Sequence, residues 1–415
     1  MKISIIGAGY VGLITGACLA KLGNEVSLID IDEEKLEAIR NKISPIYEEG
    51  LDELLSQVDI EASTDYQKTS SSDTIFLCLG TPSDKSGSIV LEYIIKATKQ
   101  LAAILKTRQS YCVVAVKSTV VPGTTEDVVI PILETSGKKA GKDFGVCMCP
   151  EFLSEGKAVH DFMNPTRVII GEYDGKSGDR LYSLYQNFKV PILRTSIRTA
   201  EMIKLASNAF LATKISFINE VGNICKQLGI DTYEVAKGMG LDERIGGKFL
   251  NAGVGFGGSC LPKDLRMLIA KAKGVGYEPT ILERVLNSND AQAVKLVETL
   301  KKHVPLKDAV IGLLGLAFKP GTDDVRDSRA IKIVEVLLQE GAVVKAYDPL
   351  AVKNFSKLFP QIAYVTKEEV LNSDAILIVT EWEEFNSLDY KGKIVIDGRR
   401  VAKAREARIY EGICW

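Results

Sequence analysis

The first 35 residues alternate between short apolar runs and a helical pattern. The run KISIIG has the length of a buried strand, and a helical pattern starts in GAGYVG and continues through LITGACLAKLG to Gly23. A second apolar run, EVSLIDID, follows at once and carries Asp30 near its end. This order predicts a βαβ unit, from which parallel sheets are built.

Five more apolar runs of strand length follow, with helical segments between them, up to about residue 195. Their alternation predicts that a doubly wound parallel sheet occupies this part of the chain. The five runs are TIFLCLG, YCVVAVKST, FGVCMCPEF, TRVIIG and VPILRT.

The pattern changes near residue 199, where a single helical segment of about 30 residues begins, which corresponds to a length of about 45 Å. It reads AEMIKLASNAFLATKISFINEVGNICKQLG and ends at Gly229. Its residues are apolar on nearly every side. We therefore expect this helix to be buried, either between domains or against a second subunit.

Beyond about residue 305 the first pattern returns. The pattern predicts a strand in DAVIGLLGLAF, a helix in DSRAIKIVEVLLQEG and a second strand in AVVKAYDP. Asp348 then stands seven residues after Gly341, just as Asp30 stands seven residues after Gly23. The later run SDAILIVTEW matches SDTIFLCLGTP. This repeat predicts a second Rossmann-like domain.

The second repeat has Gly312 and Gly315 in place of a G-x-G-x-x-G motif, so we expect it to bind something other than a dinucleotide. The sequence thus predicts an α/β fold with two Rossmann-like doubly wound domains joined by a long central helix. The expected bounds are 1–195 for a dinucleotide-binding domain, 196–300 for a central helical and dimerisation domain, and 301–415 for the second Rossmann-like domain.

Composition narrows the class of protein. The 415 residues carry a net charge of −2 without a long basic run, so nucleic acid and anionic membranes are not expected partners. The apolar runs fall short of the roughly 18 residues that span a bilayer, and the N-terminus enters a strand at once, so the cytosol is expected. Cys147 and Cys149 form a C-x-C pair, but the chain has two histidines, and we expect core cysteines and no metal.

A G-x-G-x-x-G motif, formed by Gly7, Gly9 and Gly12, stands between the first predicted strand and helix, and Asp30 follows 18 residues after Gly12. Such glycines let a pyrophosphate approach the backbone at a helix N-terminus. Asp30 would accept hydrogen bonds from ribose hydroxyls and repel a 2′-phosphate. We expect NAD rather than NADP, and a tight turn without a ligand is the alternative.

The stretch LNAGVGFGGSCLPKDL surrounds Cys260 with glycines. Pro262 suits the first turn of a helix, so Cys260 stands directly before a helix N-terminus and beside Lys263, and both features favour the thiolate. We expect a nucleophile; the alternative is a small core residue at a tight turn. Four glycines would let a large ligand lie against the backbone, namely Gly253, Gly255, Gly257 and Gly258.

Lys204 and Asn208 stand four residues apart on the long helix and therefore share a face. A buried lysine is costly unless it is paired, so we expect a functional role; a lysine that reaches solvent beside a solvent-facing asparagine is the alternative. Five residues, four of them polar, also follow predicted strands, where open α/β sheets bind their ligands. These residues are Thr81, Pro82, Thr119, Glu151 and Glu155.

A thiol nucleophile together with a hydride acceptor suggests a four-electron oxidation. An alcohol would give an aldehyde, the thiolate would add to form a thiohemiacetal, and a second oxidation would give a thioester that water releases as an acid. A two-electron hydroxyacid dehydrogenase would have no use for Cys260. A non-enzymatic dinucleotide sensor would not need Lys204, Asn208 and Cys260 together.

With these residues identified, the sequence strongly resembles the UDP-glucose 6-dehydrogenase family nearly from end to end. The resemblance implies the oxidation of UDP-glucose to UDP-glucuronate with two NAD, a homodimer whose core is the long helix, and UDP held by the C-terminal domain. Related enzymes act on GDP-mannose or UDP-N-acetylmannosamine. The resemblance implies a histidine directly before the nucleophile in the enzymes that act on UDP-N-acetylmannosamine, whereas this chain has Ser259 there. We expect UDP-glucose first and GDP-mannose second. The motifs are GAGYVG, SPIYEEGL, GTP, KSTVVPGT, PEFLSEG, EMIKLASNAFLATKISFINE, FLNAGVGFGGSCLPKDL, FKPGTDDVRDS and VTEWEEF.

The resemblance also implies roles for single residues. Cys260 would be the nucleophile, Lys204 would stabilise the oxyanion with Asn208 beside it, and Asp264 and Thr119 would serve water and proton transfer, with Glu151 a further candidate base. Cofactor contacts are implied for Gly7, Gly9, Val11, Gly12, Asp30, Lys35, Pro82, Thr119, Glu155, Lys263 and Arg326. Substrate contacts are implied for Glu151, Phe152, Leu153, Glu155, Lys204, Asn208, Phe249, Leu250, Asn251, Ala252, Gly253, Gly257, Lys319 and, from the second subunit, Arg244.

Overall fold

The computed structural model of the chain describes residues 1–84 and 86–415. The chain forms two compact units, which we call unit 1 and unit 2. Unit 1 comprises residues 1–207 and 266–271, and unit 2 comprises residues 208–265 and 272–415. Each unit contains a sheet with helices packed around it, so the predicted α/β class is confirmed.

The sheet of unit 1 has eight strands over the described residues, in the order β3-β2-β1-β4-β5-β6-β7-β8. Its first six strands have the order of a Rossmann fold. Ile3 and Ile5 point to one face of β1 and Ile6 points to the other, and all three are buried because helices cover both faces. The strands are β1 Lys2–Ile6, β2 Glu25–Ile29, β3 Ile60–Ser63, β4 Thr74–Leu77, β5 Val113–Val116, β6 Gly145–Met148, β7 Val168–Glu172 and β8 Ile192–Ser196.

Helices of unit 1 connect these strands and supply the apolar faces that cover the sheet. A turn of π-helix over Thr125–Val129 leads directly into α5, and Tyr66–Ser71 forms a 3₁₀ segment. The helices are α1 Tyr10–Lys21, α2 Glu33–Arg40, α3 Leu51–Gln57, α4 Glu92–Thr107, α5 Ile130–Glu134, α6 Ala158–Met163 and α7 Gly175–Tyr185.

The prediction of a fully parallel sheet was wrong at one edge. β7 pairs antiparallel with β6, and β8 then runs parallel to β7. A parallel crossover needs a helix that carries the chain back along the sheet. Between β6 and β7 the chain has the six-residue α6, which packs on α1, and a loop that carries Glu151 and Glu155. This connection does not return the chain to the start of a parallel strand.

The long helix α8 covers Ile197–Leu228 and is unbroken over 32 residues. Gly229 follows it with φ +68°, as expected for a residue that ends a helix. One face of α8 is exposed in the single chain, so burial against a second subunit, one of the two expected alternatives, stays a prediction. Met202, Phe210, Phe217 and Ile224 form a stripe that is 42%, 65%, 52% and 55% exposed, which we call the exposed stripe.

The other helices beyond α8 are shorter and lie mainly in unit 2. α10 begins in unit 2, and its middle residues belong to unit 1. Two 3₁₀ segments, Glu383–Ser387 and Ala402–Glu406, occur near the C-terminus. The helices are α9 Thr232–Gly240, α10 Leu261–Gly274, α11 Thr280–Lys301, α12 Arg329–Gln339, α13 Val352–Phe355 and α14 Lys367–Val370.

The sheet of unit 2 confirms the predicted second Rossmann-like domain. Over the described residues it has six strands in the order β11-β10-β9-β12-β13-β14, and all the pairs are parallel. In the described ranges 1–84 and 86–415, no helix is both long and apolar enough to cross a bilayer. The strands are β9 Val310–Leu314, β10 Val343–Tyr347, β11 Ala363–Tyr364, β12 Ala375–Ile378, β13 Ile394–Asp397 and β14 Ile409–Gly412.

Candidate active site

The predicted dinucleotide motif forms the turn between β1 and α1. Gly7 has φ +104°, and a Cβ there would lie 2.5 Å from the carbonyl oxygen of Cys78. A Cβ on Gly12 would overlap the carbonyl oxygen of Gly7, whereas a Cβ on Gly9 would meet no atom within 4 Å. Gly9 therefore leaves open space above the start of α1, where the helix N–H groups point. This backbone fits the pyrophosphate of a dinucleotide.

Asp30 is fixed at the end of β2. Its Oδ1 accepts hydrogen bonds from the N–H groups of Ile31 and Asp32 at 2.8 and 3.0 Å, and its Oδ2 accepts one from the N–H of Ala8. The last bond joins the predicted ribose-binding carboxylate to the glycine turn. Lys35, which was predicted to contact the cofactor, forms an ion pair with Asp32 at 3.0 Å.

Two of the predicted strand-end residues meet directly. The Thr81 hydroxyl, beyond β4, donates to the carbonyl oxygen of Thr119, beyond β5, at 2.8 Å. Pro82 next to Thr81 is exposed, and Val11 lies partly buried in the first turn of α1. Because β4 and β5 are neighbours, these residues lie at the carboxyl edge of the sheet, where open α/β sheets bind ligands.

Glu151 and Lys204 form a buried ion pair in unit 1, with side chains 8% and 3% exposed. Lys204 Nζ donates to Glu151 Oε1 at 2.9 Å and to the Glu151 carbonyl oxygen at 2.7 Å. The N–H of Leu153 donates to Oε2 at 2.6 Å. Burial alone would raise the pKa of Glu151, but the charges of Lys204 and Lys117 and these hydrogen bonds hold that pKa below its ordinary value. Glu151 is therefore a carboxylate near neutral pH.

A cavity of about 240 Å³ lies beside Glu151 in unit 1. Phe152 lines it, and the Arg167 guanidinium lies 4.0 Å from the centre of the Phe152 ring. Lys117 also lines it, is 4% exposed and donates to the Cys149 carbonyl oxygen at 3.4 Å. We did not predict a role for Lys117. Its position directly after a fully apolar strand run was the available signal, because a buried lysine there is costly.

Glu48 fixes the loop that carries Glu155, and sequence reasoning missed it. Its carboxylate accepts hydrogen bonds from the N–H groups of Gly156 and Ala158 at 2.7 and 2.6 Å, and from the Tyr10 hydroxyl. Burial and this carboxylate together raise the pKa of Tyr10 well above its ordinary value. The bonds from Gly156 and Ala158 span more than a hundred residues of sequence, so the local pattern around Glu48 gives no sign of them.

Cys260 stands out among the cysteines. All eight lie in the described part of the chain, and seven are buried whereas Cys260 is partly exposed. Burial raises the pKa of the Cys18, Cys78 and Cys147 thiols to about 12, so these remain inert thiols. Cys260 is the residue directly before α10, and Pro262 lies in the first turn of that helix, as predicted. Its Sγ lies 3.4 Å from the Ser259 hydroxyl oxygen.

Asn208, Lys263 and Asp264 form a second polar cluster, in unit 2. Asn208 Nδ2 donates to Asp264 Oδ2 at 2.6 Å, and Lys263 Nζ lies 3.0 Å from Asp264 Oδ1. Asp264 is 1% exposed, and its N–H donates to the Cys260 carbonyl oxygen at 2.9 Å. The structure thus brings the predicted amide of Asn208 to the carboxylate of Asp264, which lies one helical turn after Cys260.

The four glycines before Cys260 pack against other parts of unit 2, which is a different reason for glycine than the predicted one. In each case a Cβ would clash with protein atoms, and Gly255 and Gly258 also have φ values of +104° and +85°. A Cβ on Gly253 would lie 2.6 Å from the Gly398 carbonyl oxygen, and one on Gly258 would lie 2.7 Å from the Phe318 ring. A Cβ on Gly255 would overlap Asn289 Oδ1, and one on Gly257 would overlap the Asp327 carbonyl oxygen.

The other predicted substrate residues differ in whether they offer a ligand a side chain or only their main chain. Leu250 and Ala252 belong to the core of unit 2, so their main chains are what a ligand could contact. Phe249 has φ +65° and is 41% exposed, and Asn251 is exposed. Lys319 Nζ lies 5.7 Å from the centre of the Phe318 ring, the same ring that packs on Gly258.

The predicted arginines lie on the surface. Arg244 and Arg326 pair with Asp242 and Asp324 at 2.6 and 2.7 Å, and the Arg244 side chain is 89% exposed. Arg399, which we did not predict, donates to the carbonyl oxygens of Val379 and Gly255 at 2.8 and 3.4 Å. It follows β13, so its position at a strand end was a signal that sequence reasoning left unused.

Three family models match successive segments of the chain. They describe the NAD binding domain, the central domain and the UDP binding domain of the UDP-glucose/GDP-mannose dehydrogenase family, over residues 1–189, 198–291 and 312–404. The chain belongs to this family. This membership confirms the predicted resemblance, and the chain is an NAD-dependent dehydrogenase, as expected from its glycine turn.

Members of the UDP-glucose/GDP-mannose dehydrogenase family match the chain over its whole length. UDP-glucose 6-dehydrogenase AglM of Haloferax volcanii is 43% identical, and the match covers 100% of both chains. GDP-mannose 6-dehydrogenase of Pseudomonas syringae pv. syringae is 38% identical, also over 100% of both. A UDP-glucose dehydrogenase structure from the archaeon Pyrobaculum islandicum has a TM-score of 0.96 at 39% identity, covering 100% of this chain and 98% of that one.

Proposed function

We propose that this dehydrogenase oxidises the C6 alcohol of UDP-glucose to the carboxylate of UDP-glucuronate, with Cys260 as a covalent nucleophile. The observation that carries the proposal is the state of Cys260, a partly exposed thiol at a helix N-terminus in a chain whose other cysteines are buried. A dehydrogenase that removes only two electrons needs no such thiol. A four-electron oxidation needs one to hold the aldehyde for the second step.

The proposed reaction consists of two oxidations at C6 and a final hydrolysis. The first oxidation removes a hydride from C6 and a proton from its hydroxyl, which leaves an aldehyde. The Cys260 thiolate adds to the aldehyde carbon, and the second hydride leaves that carbon to give a thioester. Water then breaks the carbon–sulfur bond, which releases the carboxylate and restores the thiol. Bound NAD supplies the acceptor for the hydride in each oxidation.

The polar clusters fit the charges that develop. Lys204 would stabilise the oxygen anion of the tetrahedral adduct, and its bond to Glu151 holds the ammonium in place in a site of low dielectric constant. Asp264, held by Asn208 and Lys263, would orient water or accept its proton. Glu151 is ionised and is a second candidate base, and Thr119 would join this network.

The comparisons favour UDP-glucose over GDP-mannose. The UDP-glucose 6-dehydrogenase of Haloferax volcanii is 43% identical, against 38% for the GDP-mannose 6-dehydrogenase of Pseudomonas syringae. The C-terminal segment matches a domain described as UDP binding. On this proposal unit 1 binds NAD, and the second Rossmann-like domain in unit 2 binds the UDP moiety.

We also propose that two chains associate through α8. The exposed stripe of Met202, Phe210, Phe217 and Ile224 presents large apolar side chains along one face of the helix. Large apolar side chains exposed along one face of a helix are typical of protein–protein interfaces. A homodimer would cover the stripe, and it would bring Arg244 of one chain to the site of the other.

The stoichiometry of the reaction tests the proposed function. Purified enzyme is given a limiting amount of UDP-glucose, GDP-mannose or UDP-N-acetylmannosamine, and NADH is measured at completion. We expect two NADH per UDP-glucose, and a kcat/KM for UDP-glucose at least about tenfold above that for GDP-mannose, a gap of about 1.4 kcal/mol. One NADH per substrate would refute the thioester mechanism, and a preference for GDP-mannose would refute the substrate.

A further inference from the structure

The segment before Cys260 is buried without forming a helix or a strand. Residues 252–258, which we call the glycine loop, are all buried. Buried peptide groups need hydrogen-bond partners, and outside regular secondary structure they must find them elsewhere. The conformation of the glycine loop therefore depends on the groups that supply these bonds.

Side-chain amides supply four of these bonds in the described part of the chain. Asn289 Oδ1 accepts from the Phe256 N–H at 2.7 Å, and Asn289 Nδ2 donates to the Phe256 carbonyl oxygen at 3.0 Å. Gln292 Nε2 donates to the Gly253 carbonyl oxygen at 3.0 Å, and Asn219 Oδ1 accepts from the Gly253 N–H at 2.8 Å. Both peptide groups of Phe256 and of Gly253 are thus bound by side chains.

Asn289 and Gln292 lie three residues apart on α11, so they share one face of the helix. They are 1% and 2% exposed, and Asn223 Nδ2 of α8 donates to Gln292 Oε1 at 3.0 Å, which fixes the orientation of that amide. The fit is close, because a Cβ on Gly255 would overlap Asn289 Oδ1. Only a side chain with both a donor and an acceptor can pair with both groups of Phe256.

We propose that Asn289 and Gln292 are positioning residues that hold the glycine loop in the conformation that binds the sugar nucleotide. The inference rests on the proposed function and on the substrate contacts that the family resemblance implies for Ala252, Gly253 and Gly257. A glycine-rich loop has many accessible conformations, and a ligand that must order it binds more weakly. The two amides fix the loop before substrate arrives, and they act through its backbone without touching the reacting atoms.

Asn289→Asp tests this role with little change of shape. It keeps an acceptor for the Phe256 N–H and places an oxygen against the Phe256 carbonyl oxygen, so one bond becomes a repulsion. Asn287→Asp is the matched control, because Asn287 lies on the exposed face of the same helix. The Kd of UDP from calorimetry, the KM values for sugar nucleotide and NAD, and Tm are measured for both variants.

We expect Asn289→Asp to raise the Kd of UDP and the KM for the sugar nucleotide at least tenfold, which corresponds to about 1.4 kcal/mol. The KM for NAD should stay within twofold, and Asn287→Asp should match the wild type. Gln292→Met, which removes the bond to Gly253 and keeps the side-chain volume, should give a rise of at least threefold. It serves as the test if Asn289→Asp does not fold.

An unchanged UDP affinity in a folded Asn289→Asp or Gln292→Met variant would overturn the inference even if Tm falls, because the amides would then serve folding alone. A parallel rise in the KM for NAD would overturn it too. Failure of the proposed function shows separately, in the NADH yield of the wild type. The calorimetric comparison with UDP needs no turnover.

Discussion

Lys204→Met removes one charge of the buried pair with Glu151 and keeps most of the side-chain volume. Glu151 keeps the bond from the Leu153 N–H at 2.6 Å but loses that from Lys204 Nζ at 2.9 Å, at a position where its own side chain is 8% exposed. Removing one partner of such a pair leaves an uncompensated buried charge and costs about 3–5 kcal/mol of unfolding free energy. The double variant Lys204→Met/Glu151→Gln carries neither charge and should recover most of that loss.

The cost should depend on pH with a definite sign. In the wild type the pKa of Glu151 lies below the ordinary 4.5, so the pair contributes stability above pH 4.5 that is lost as pH falls through the folded-state pKa. Without Lys204, burial dominates and raises the pKa of Glu151, although Lys117 offsets part of that rise. The folded variant then takes up a proton as pH falls from neutral. The destabilisation should therefore be greatest at about pH 8 and smaller at about pH 5.

Urea unfolding and calorimetry of the two single variants, Lys204→Met and Glu151→Gln, and of the double variant at these two pH values check the reasoning. Lys96→Met is the control, because Lys96 pairs with Glu92 on the surface at 2.6 Å with both side chains more than half exposed. It should change stability little. A loss for Lys204→Met no larger than for Lys96→Met, or one that does not vary with pH, would refute the account of the pair.

Three further predictions concern function. Cys260→Ser should abolish steady acid formation and leave NAD affinity within about twofold, measured by product analysis and calorimetry; acid formation at the wild-type rate would exclude a thioester. Asp30→Ala should narrow the preference for NAD over NADP by about 1–3 kcal/mol in kcat/KM, and equal use of both cofactors by the wild type would contradict this. Mixed Arg244→Ala and Cys260→Ala subunits should regain activity if Arg244 acts across a dimer, whereas proven subunit exchange without recovery would place it outside the partner's site.

Periodicity predicted the fold well where an element depends on its own sequence. The long helix, predicted from residue 199 and ended by Gly229, is observed at Ile197–Leu228, because a run of apolar and helix-forming residues closed by a glycine is a local signal. The direction of β7 is not local. Its sequence reads the same in a parallel or an antiparallel pair, and the connection through the short α6 decides between them.

The candidate site likewise contains residues that have a local sequence signal and residues that have none. Glycines at a strand end and a cysteine before a helix-starting proline are local signals, and they led to Gly7, Asp30 and Cys260. The groups that hold these parts in place gave no such signal. Glu48 binds backbone more than a hundred residues away, and Asn289 binds Phe256 from 33 residues away. Their pairing exists only once the sheet and α11 are formed, so sequence pattern alone could not single them out.

The two Rossmann-like domains place an aspartate at the same position but surround it differently. Asp30 and Asp348 both follow the second strand of their sheets, and each carboxylate accepts from the turn after the first strand, at Ala8 and at Leu316. The described residues give Asp30 three hydrogen-bond donors, whereas Asp348 has five, including Trp382 Nε1 at 3.0 Å. Asp348 is also 3% exposed. Asp30 can therefore still accept a hydrogen bond from a ribose hydroxyl. At Asp348 the indole N–H of Trp382 donates in the place of such a hydroxyl. The second domain thus retains the fold of a dinucleotide site without its ribose acceptor, which agrees with a sugar-nucleotide ligand held by other contacts.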